Sequence, residues 1–214
     1  MSPGRAFPGG IYVITPETPD TDRLLGLVEA ALAGGVAAVQ YRDKSGDVAR
    51  RHEQASELVA LCRRHGVPLI VNDDLRLADL ADADGVHLGR DDGSVREARI
   101  ILGPMKFIGA SCYQSLDLAR AAQDAGADYV AFGSFFPSPT KPGAGRASPD
   151  LLHAARTTIR VPLVAIGGIT RDNASALLDA GADSLAVLSA VFDAPDIRAA
   201  ARNLNQLFET ESEQ

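Results

Sequence analysis

Eight short apolar runs, each followed by a helical pattern, fill almost the whole chain, and this alternation limits the fold more than any other feature. The runs fall at 11–15, 38–42, 69–72, 85–89, 107–111, 129–133, 163–167 and 185–189. Helical patterns occupy 22–33, 49–65, 75–81, 95–102, 116–125, 148–158, 174–180 and 197–208. Strands this short and this continuously apolar belong to a parallel sheet covered by helices on its outer face. The punctuation repeats as well. Gly34-Gly35, Gly126 and Gly181 each stop a helix just before the next strand begins. Regular βα units of this length make either a doubly wound sheet or a barrel. A count of eight predicts a single-domain (β/α)8 TIM barrel over residues 10–208. Residues 1–9 form a flexible N-terminal segment in this reading, and 209–214 an acidic, frayed tail.

Composition narrows the function. A net charge of −7 argues against broad binding to nucleic acid or an anionic membrane, and leaves room for a local basic pocket. No apolar run approaches the roughly 20 residues of a membrane helix. Met1 to Gly9 is rich in Pro and Gly and lacks the apolar stretch of a secretion signal. Cys62 and Cys112 are far apart in sequence and suit a reducing compartment. A cytoplasmic enzyme acting on small molecules is the expectation, with the oligomeric state left open.

In such barrels the chemistry sits at the C-terminal strand ends, with phosphates bound after strands seven and eight. Strand two ends in Gln40-Tyr41-Arg42-Asp43-Lys44, whose alternation lets Gln40, Arg42 and Lys44 face one way. Cations there need a partner. A bound polyanion supplies one; a pair with Asp73 or Asp92 is the structural alternative. Asn72-Asp73-Asp74 and Arg90-Asp91-Asp92 bring carboxylates to the ends of strands three and four. These suit Mg2+, which accepts one or two carboxylates plus water and substrate phosphates. Spacing does not choose within each Asp pair, and Asp74 and Asp91 equally suit helix caps. His87 fits a rim hydrogen bond as well as acid–base work. Ser111 can donate to a ligand, although no Ser-His-Asp arrangement is assignable and no nucleophile is expected. The loop Pro137-Ser138-Pro139-Thr140-Lys141-Pro142-Gly143 is stiffened by three prolines and presents hydroxyls and a lysine. Gly167-Gly168 after strand seven, and Leu188-Ser189 after strand eight, suit a phosphate held by backbone N–H groups. Two anion sites imply two phosphorylated substrates.

Taken together, these strand ends resemble those of thiamine-phosphate synthases. The resemblance runs from about Gly10 to Phe208 and rests on the motifs around Gln40, Asn72, His87, Lys141 and Gly168. The resemblance implies condensation of a hydroxymethylpyrimidine diphosphate with a thiazole phosphate, by dissociative loss of pyrophosphate that requires Mg2+. By position it implies that Gln40, Arg42, Lys44 and Asn72 hold the diphosphate substrate and that Asp73 and Asp92 hold Mg2+. Ser111 and Lys141, with Arg42, would act on the leaving pyrophosphate. Ser138, Thr140, Gly168, Leu188 and Ser189 would surround the thiazole phosphate. Arg90, Tyr113, Pro16 and Ser138 depart from the residues usual in that family. The sister group of thiazole tautomerases, and a non-catalytic phosphate-ligand sensor on the same barrel, are the rival readings.

Overall fold

The computed structural model describes residues 6–137 and 145–209. Eight parallel strands close into a barrel in sequential order, β1 pairing with both β2 and β8. The strands are β1 (Gly10–Ile14), β2 (Ala38–Tyr41), β3 (Leu69–Asn72), β4 (Gly85–Leu88), β5 (Phe107–Tyr113), β6 (Tyr129–Gly133), β7 (Leu163–Ile166) and β8 (Ser184–Val187). The helices are α1 (Thr21–Leu32), α2 (Val48–His65), α3 (Leu75–Leu80), α4 (Val95–Leu102), α5 (Leu116–Asp124), α6 (Pro149–Arg156), α7 (Arg171–Asp179), α8 (Ser189–Phe192) and α9 (Ile197–Glu209). The (β/α)8 barrel read from the sequence is the fold observed. No described helix is long and apolar enough to cross a membrane.

Strand alternation sorts the apolar residues into two layers. Outward residues such as Ile11, Val39, Leu69, Val86, Ile108 and Leu185 pack under the helices. Inward residues, among them Tyr12, Ile14, Ile70, Phe107, Tyr129 and Val164, fill the barrel. Phe7 belongs to that inner layer. It stacks on Tyr129 at 4.0 Å between centroids and meets Tyr12 and Phe107 edge-on. The segment before β1 is thus no free arm at this position but a plug in the barrel floor. The two cysteines are free thiols, and burial pushes each up to about 12.

Most elements fall where the sequence places them, and the differences have local causes. Strand β5 runs on to Tyr113 through a register shift between Ser111 and Tyr113. Helix α7 starts at Arg171, before the expected 174, because Asn173 Oδ1 accepts the Thr170 N–H at 2.9 Å and closes the first turn. Strand β8 stops at Val187, and Ser189 opens the short helix α8, which apolar periodicity did not reveal.

Candidate active site

The C-terminal rim gathers the strand ends in two places. On the first side, the loops after β2 and β3 enclose a cleft of about 360 Å3, lined by Asp43, Lys44, Gly46, Arg51, Asn72, Asp73, Asp74 and Leu75. Gln40 points into the barrel, where its Nε2 donates to Tyr12 Oη at 2.8 Å. Arg42 is half-buried, and its guanidinium has no partner among the described residues; its backbone N–H donates to Thr15 Oγ1 at 3.0 Å. Lys44 Nζ is bonded to Asp73 Oδ2, the structural alternative the sequence left open. Gln40, Arg42 and Lys44 therefore share a strand end and differ in partner: a core hydroxyl, none, and a carboxylate.

The carboxylates divide their work. Asp74 Oδ1 caps α3 by accepting the Leu77 N–H at 2.9 Å, and its Oδ2 pairs with Arg51 at 3.0 Å. Asp91 does not cap α4 as expected. That role falls to Ser94, whose Oγ accepts from Glu97 N at 3.1 Å, because the chain takes one more turn before the helix. Asp73 and Asp92 are neighbours, and each shifts the other's carboxyl. Burial raises the Asp73 carboxyl, but Lys44 and Asp92 outweigh it and the net displacement is downward. The Asp92 carboxyl is pushed above its ordinary value by burial and by Asp73. Two neighbouring carboxylates, one of them already paired with an ammonium, are groups that could hold a hard cation. Among the described residues no three His, Cys, Asp or Glu groups converge as metal ligands. Two carboxylates match Mg2+, which keeps waters and takes substrate oxygens for its remaining positions.

Backbone conformation also marks Asp73. Its φ of 64° is left-handed, a region that Asp tolerates better than most residues. Its N–H donates to His87 O at 2.8 Å, tying β3 to β4 and aiming the carboxylate at the mouth. Asp92 Oδ2 accepts the Gly89 N–H at 2.8 Å. Arg90 and Tyr113, the two departures from the family pattern here, partner each other. The Arg90 guanidinium lies 5.0 Å from the Tyr113 ring centroid, and its backbone N–H donates to Tyr113 Oη at 3.3 Å.

The second place lies after β6, β7 and β8. Gly167 and Gly168 both have positive φ, and Gly168 O accepts from Asn173 Nδ2 at 3.1 Å. Leu188 precedes the first turn of α8, so the N–H groups of Ser189 and Ala190 have no intrahelical acceptor. A short extra helix opening at this point is the usual phosphate-binding device of the barrel. Ser138, Thr140 and Lys141 lie outside the described residues. The base of their loop is held by Gln114, whose Nε2 donates to Gly133 O and to Gly145 O, and by Ala147 N–H donating to Ser134 O at 2.8 Å.

Gly168 has a structural duty besides any phosphate contact. A Cβ there would stand 2.3 Å from Pro137 O, at a φ of 61°. Gly168→Ala is expected to cost about 2–4 kcal/mol of stability, from backbone strain plus the clash. Denaturant melts measure this; an unchanged midpoint would show that the loop gives way freely.

Sequence reading missed Arg51, Tyr12 and Tyr129. Arg51 was detectable: Arg50-Arg51 in the first turn of α2 opposes the helix dipole, so some local acceptor was required. Tyr12 and Tyr129 occupy strand positions where only their inward direction, set by register, discloses a role.

Comparison with known proteins agrees with this geometry. Residues 11–191 match the family model described as thiamine monophosphate synthase. The chain is 78% identical over 210 residues to the thiamine-phosphate synthase of Thiobacillus denitrificans, covering 98% of this chain and 100% of that protein. It is 55% identical over 199 residues to the thiamine-phosphate synthase of Methylobacillus flagellatus, covering 93% and 95%. The solved thiamine phosphate pyrophosphorylase from Pyrococcus furiosus superposes with a TM-score of 0.84 at 36% identity, covering 94% of this chain and 96% of that one. The chain belongs to the thiamine monophosphate synthase family and is an enzyme of the transferase class.

Proposed function

We propose that the barrel mouth condenses 4-amino-2-methyl-5-(diphosphooxymethyl)pyrimidine with 4-methyl-5-(2-phosphoethyl)thiazole, giving thiamine phosphate and pyrophosphate. The observation that supports this reading is that two groups of strand ends, each with chemistry suited to a phosphate, lie at separate places on one rim. A cleft that mixes Lys44 and Arg51 with the carboxylates of Asp43, Asp73 and Asp74 lies at β2 to β4, and the N-terminal opening of a short helix lies after β8. Asp73 and Asp92 would hold Mg2+, with Lys44 leaving Asp73 for the substrate's diphosphate. When bound, Mg2+ would neutralise charge on the departing pyrophosphate.

The chain's own residues do the rest. Arg42, half-buried and without a side-chain partner among the described residues, offers its planar fork to the diphosphate, together with Lys44 and Asn72. Gln40 has committed its amide nitrogen to Tyr12, which leaves its oxygen for the pyrimidine ring. The bond from the pyrimidine methylene carbon to the diphosphate oxygen breaks, and pyrophosphate keeps the electron pair. The thiazole nitrogen then gives its lone pair to the cationic methylene carbon, forming the new C–N bond. Ser111 and Lys141 donate to the leaving oxygens. Gly168, Leu188, Ser189, Ser138 and Thr140 hold the thiazole phosphate so that the two rings meet in line.

Turnover with both substrates and Mg2+ tests this. Thiamine phosphate and pyrophosphate should appear in equal amounts. Isomerisation of a thiazole phosphate without the pyrimidine substrate would favour the tautomerase reading instead. Binding without product would favour the sensor.

A further inference from the structure

Five side chains join hand to hand through the barrel interior. Gln40 Nε2 donates to Tyr12 Oη at 2.8 Å. Tyr12 Oη lies 2.9 Å from Tyr129 Oη. Tyr129 Oη lies 3.1 Å from His87 Nδ1, and His87 Nε2 lies 2.8 Å from Ser111 Oγ. The series crosses from β2 through β1, β6 and β4 to β5, and it ends at the mouth. Its links are rigidly held. Tyr12 and Tyr129 are fully enclosed, Phe7 stacks beneath the Tyr129 ring, and His87 stacks on it at 5.6 Å. Gly109 makes the arrangement fit: a Cβ there would fall 2.0 Å from the Tyr129 ring.

Proton counting gives the series a direction. An amide nitrogen has only protons to give, so the Tyr12 oxygen accepts from Gln40. Burial pushes both phenols upward, so each carries one proton at neutral pH. Every buried proton in the series then finds an acceptor only if Tyr12 donates to Tyr129 and Tyr129 donates to His87 Nδ1. His87 then carries its proton on Nε2 and donates it to Ser111 Oγ.

We propose that Gln40, Tyr12, Tyr129 and His87 form a one-way hydrogen-bond relay that positions Ser111 as a donor, its hydroxyl proton turned out toward an anionic phosphate oxygen in the mouth. His87, Tyr129 and Tyr12 are then positioning residues, acting through Ser111. A Ser–His pair at 2.8 Å would otherwise pass for a nucleophile and its base. The relay excludes that use, because a nitrogen that donates to the serine oxygen cannot take the serine proton. The relay also ties Gln40, at the ring end of the pyrimidine site, to Ser111, at its diphosphate end. This inference rests on the synthase reading for the identity of the ligand, although not for the tautomer.

Histidine 15N NMR on the ligand-free enzyme tests it, with the His87 signals identified by their loss in His87→Gln. Nε2 should be protonated and Nδ1 unprotonated. A proton on Nδ1, or on both nitrogens, overturns the relay, even in an enzyme that makes thiamine phosphate. Failure of turnover would leave this readout intact. Kinetics supply the second test. His87→Leu should lower kcat about tenfold with little change in KM, since it disorders a donor to the developing charge. His87→Gln places an amide N–H near the former Nε2 and should recover most of that loss. If the two variants melt alike and lose kcat equally, the relay is wrong.

Discussion

Asp73→Asn is expected to lower Mg2+-dependent turnover by about a hundredfold or more while the barrel stays folded. Asn suits the test because it tolerates the left-handed φ of 64° at this position, where Ala would add about 1 kcal/mol of strain. The substitution removes one of the two carboxylate groups and keeps the side chain's shape. Asp92 then faces Lys44 with half the negative charge, too little to hold a divalent cation beside substrate. The neighbours serve as controls. Asp74→Ala loses the cap on Leu77 N and the ion pair with Arg51, so about 1–2 kcal/mol of stability should go, with turnover largely kept. Asp91→Ala should change neither, because Ser94 caps α4. Steady-state turnover across a Mg2+ titration, beside a thermal melt of each variant, gives the comparison. Near-wild-type Mg2+-dependent activity in Asp73→Asn would remove the metal assignment.

The contrast between these aspartates shows what the sequence discloses. Spacing brings Asp73, Asp74, Asp91 and Asp92 to adjacent strand ends because strand length and barrel order do so without help from side-chain detail. Which of each pair turns into the mouth depends on a single left-handed residue in one case and on an extra turn before α4 in the other. Apolar periodicity carries neither. The same limit explains Phe7 and α8. Phe7 lies outside any periodic run, so only the closed barrel shows that its ring fills the floor. Helix α8 has four residues, too few for a helical period to register. The inner tyrosines were hidden for a different reason: in a continuously apolar strand, the direction of a side chain follows from register with its neighbours rather than from its own segment.

Arg42→Ala should weaken the pyrimidine diphosphate about ten- to hundredfold and leave the thiazole phosphate nearly unchanged, if the rim holds two separate anion sites. The case for Arg42 over Lys44 comes from their partners. Lys44 is already bonded to Asp73 and gives up that contact to serve a ligand. Arg42 is half-buried with no partner among the described residues, so a ligand that pairs with it recovers an interaction without breaking one. The reciprocal variant must spare the fold. Gly168→Val fails that requirement, because any Cβ at Gly168 meets Pro137 O. Ser189→Ala is cleaner: it deletes one hydroxyl at the opening of α8 and leaves the backbone N–H groups in place. It should weaken the thiazole phosphate by about tenfold at most and spare the pyrimidine diphosphate. Calorimetric titration of each variant with each substrate, one substrate at a time, reads out the pattern. If both variants weaken both ligands to the same degree, the segments after β2 and β8 serve one shared anion, and condensation of two bound phosphorylated rings loses its structural basis.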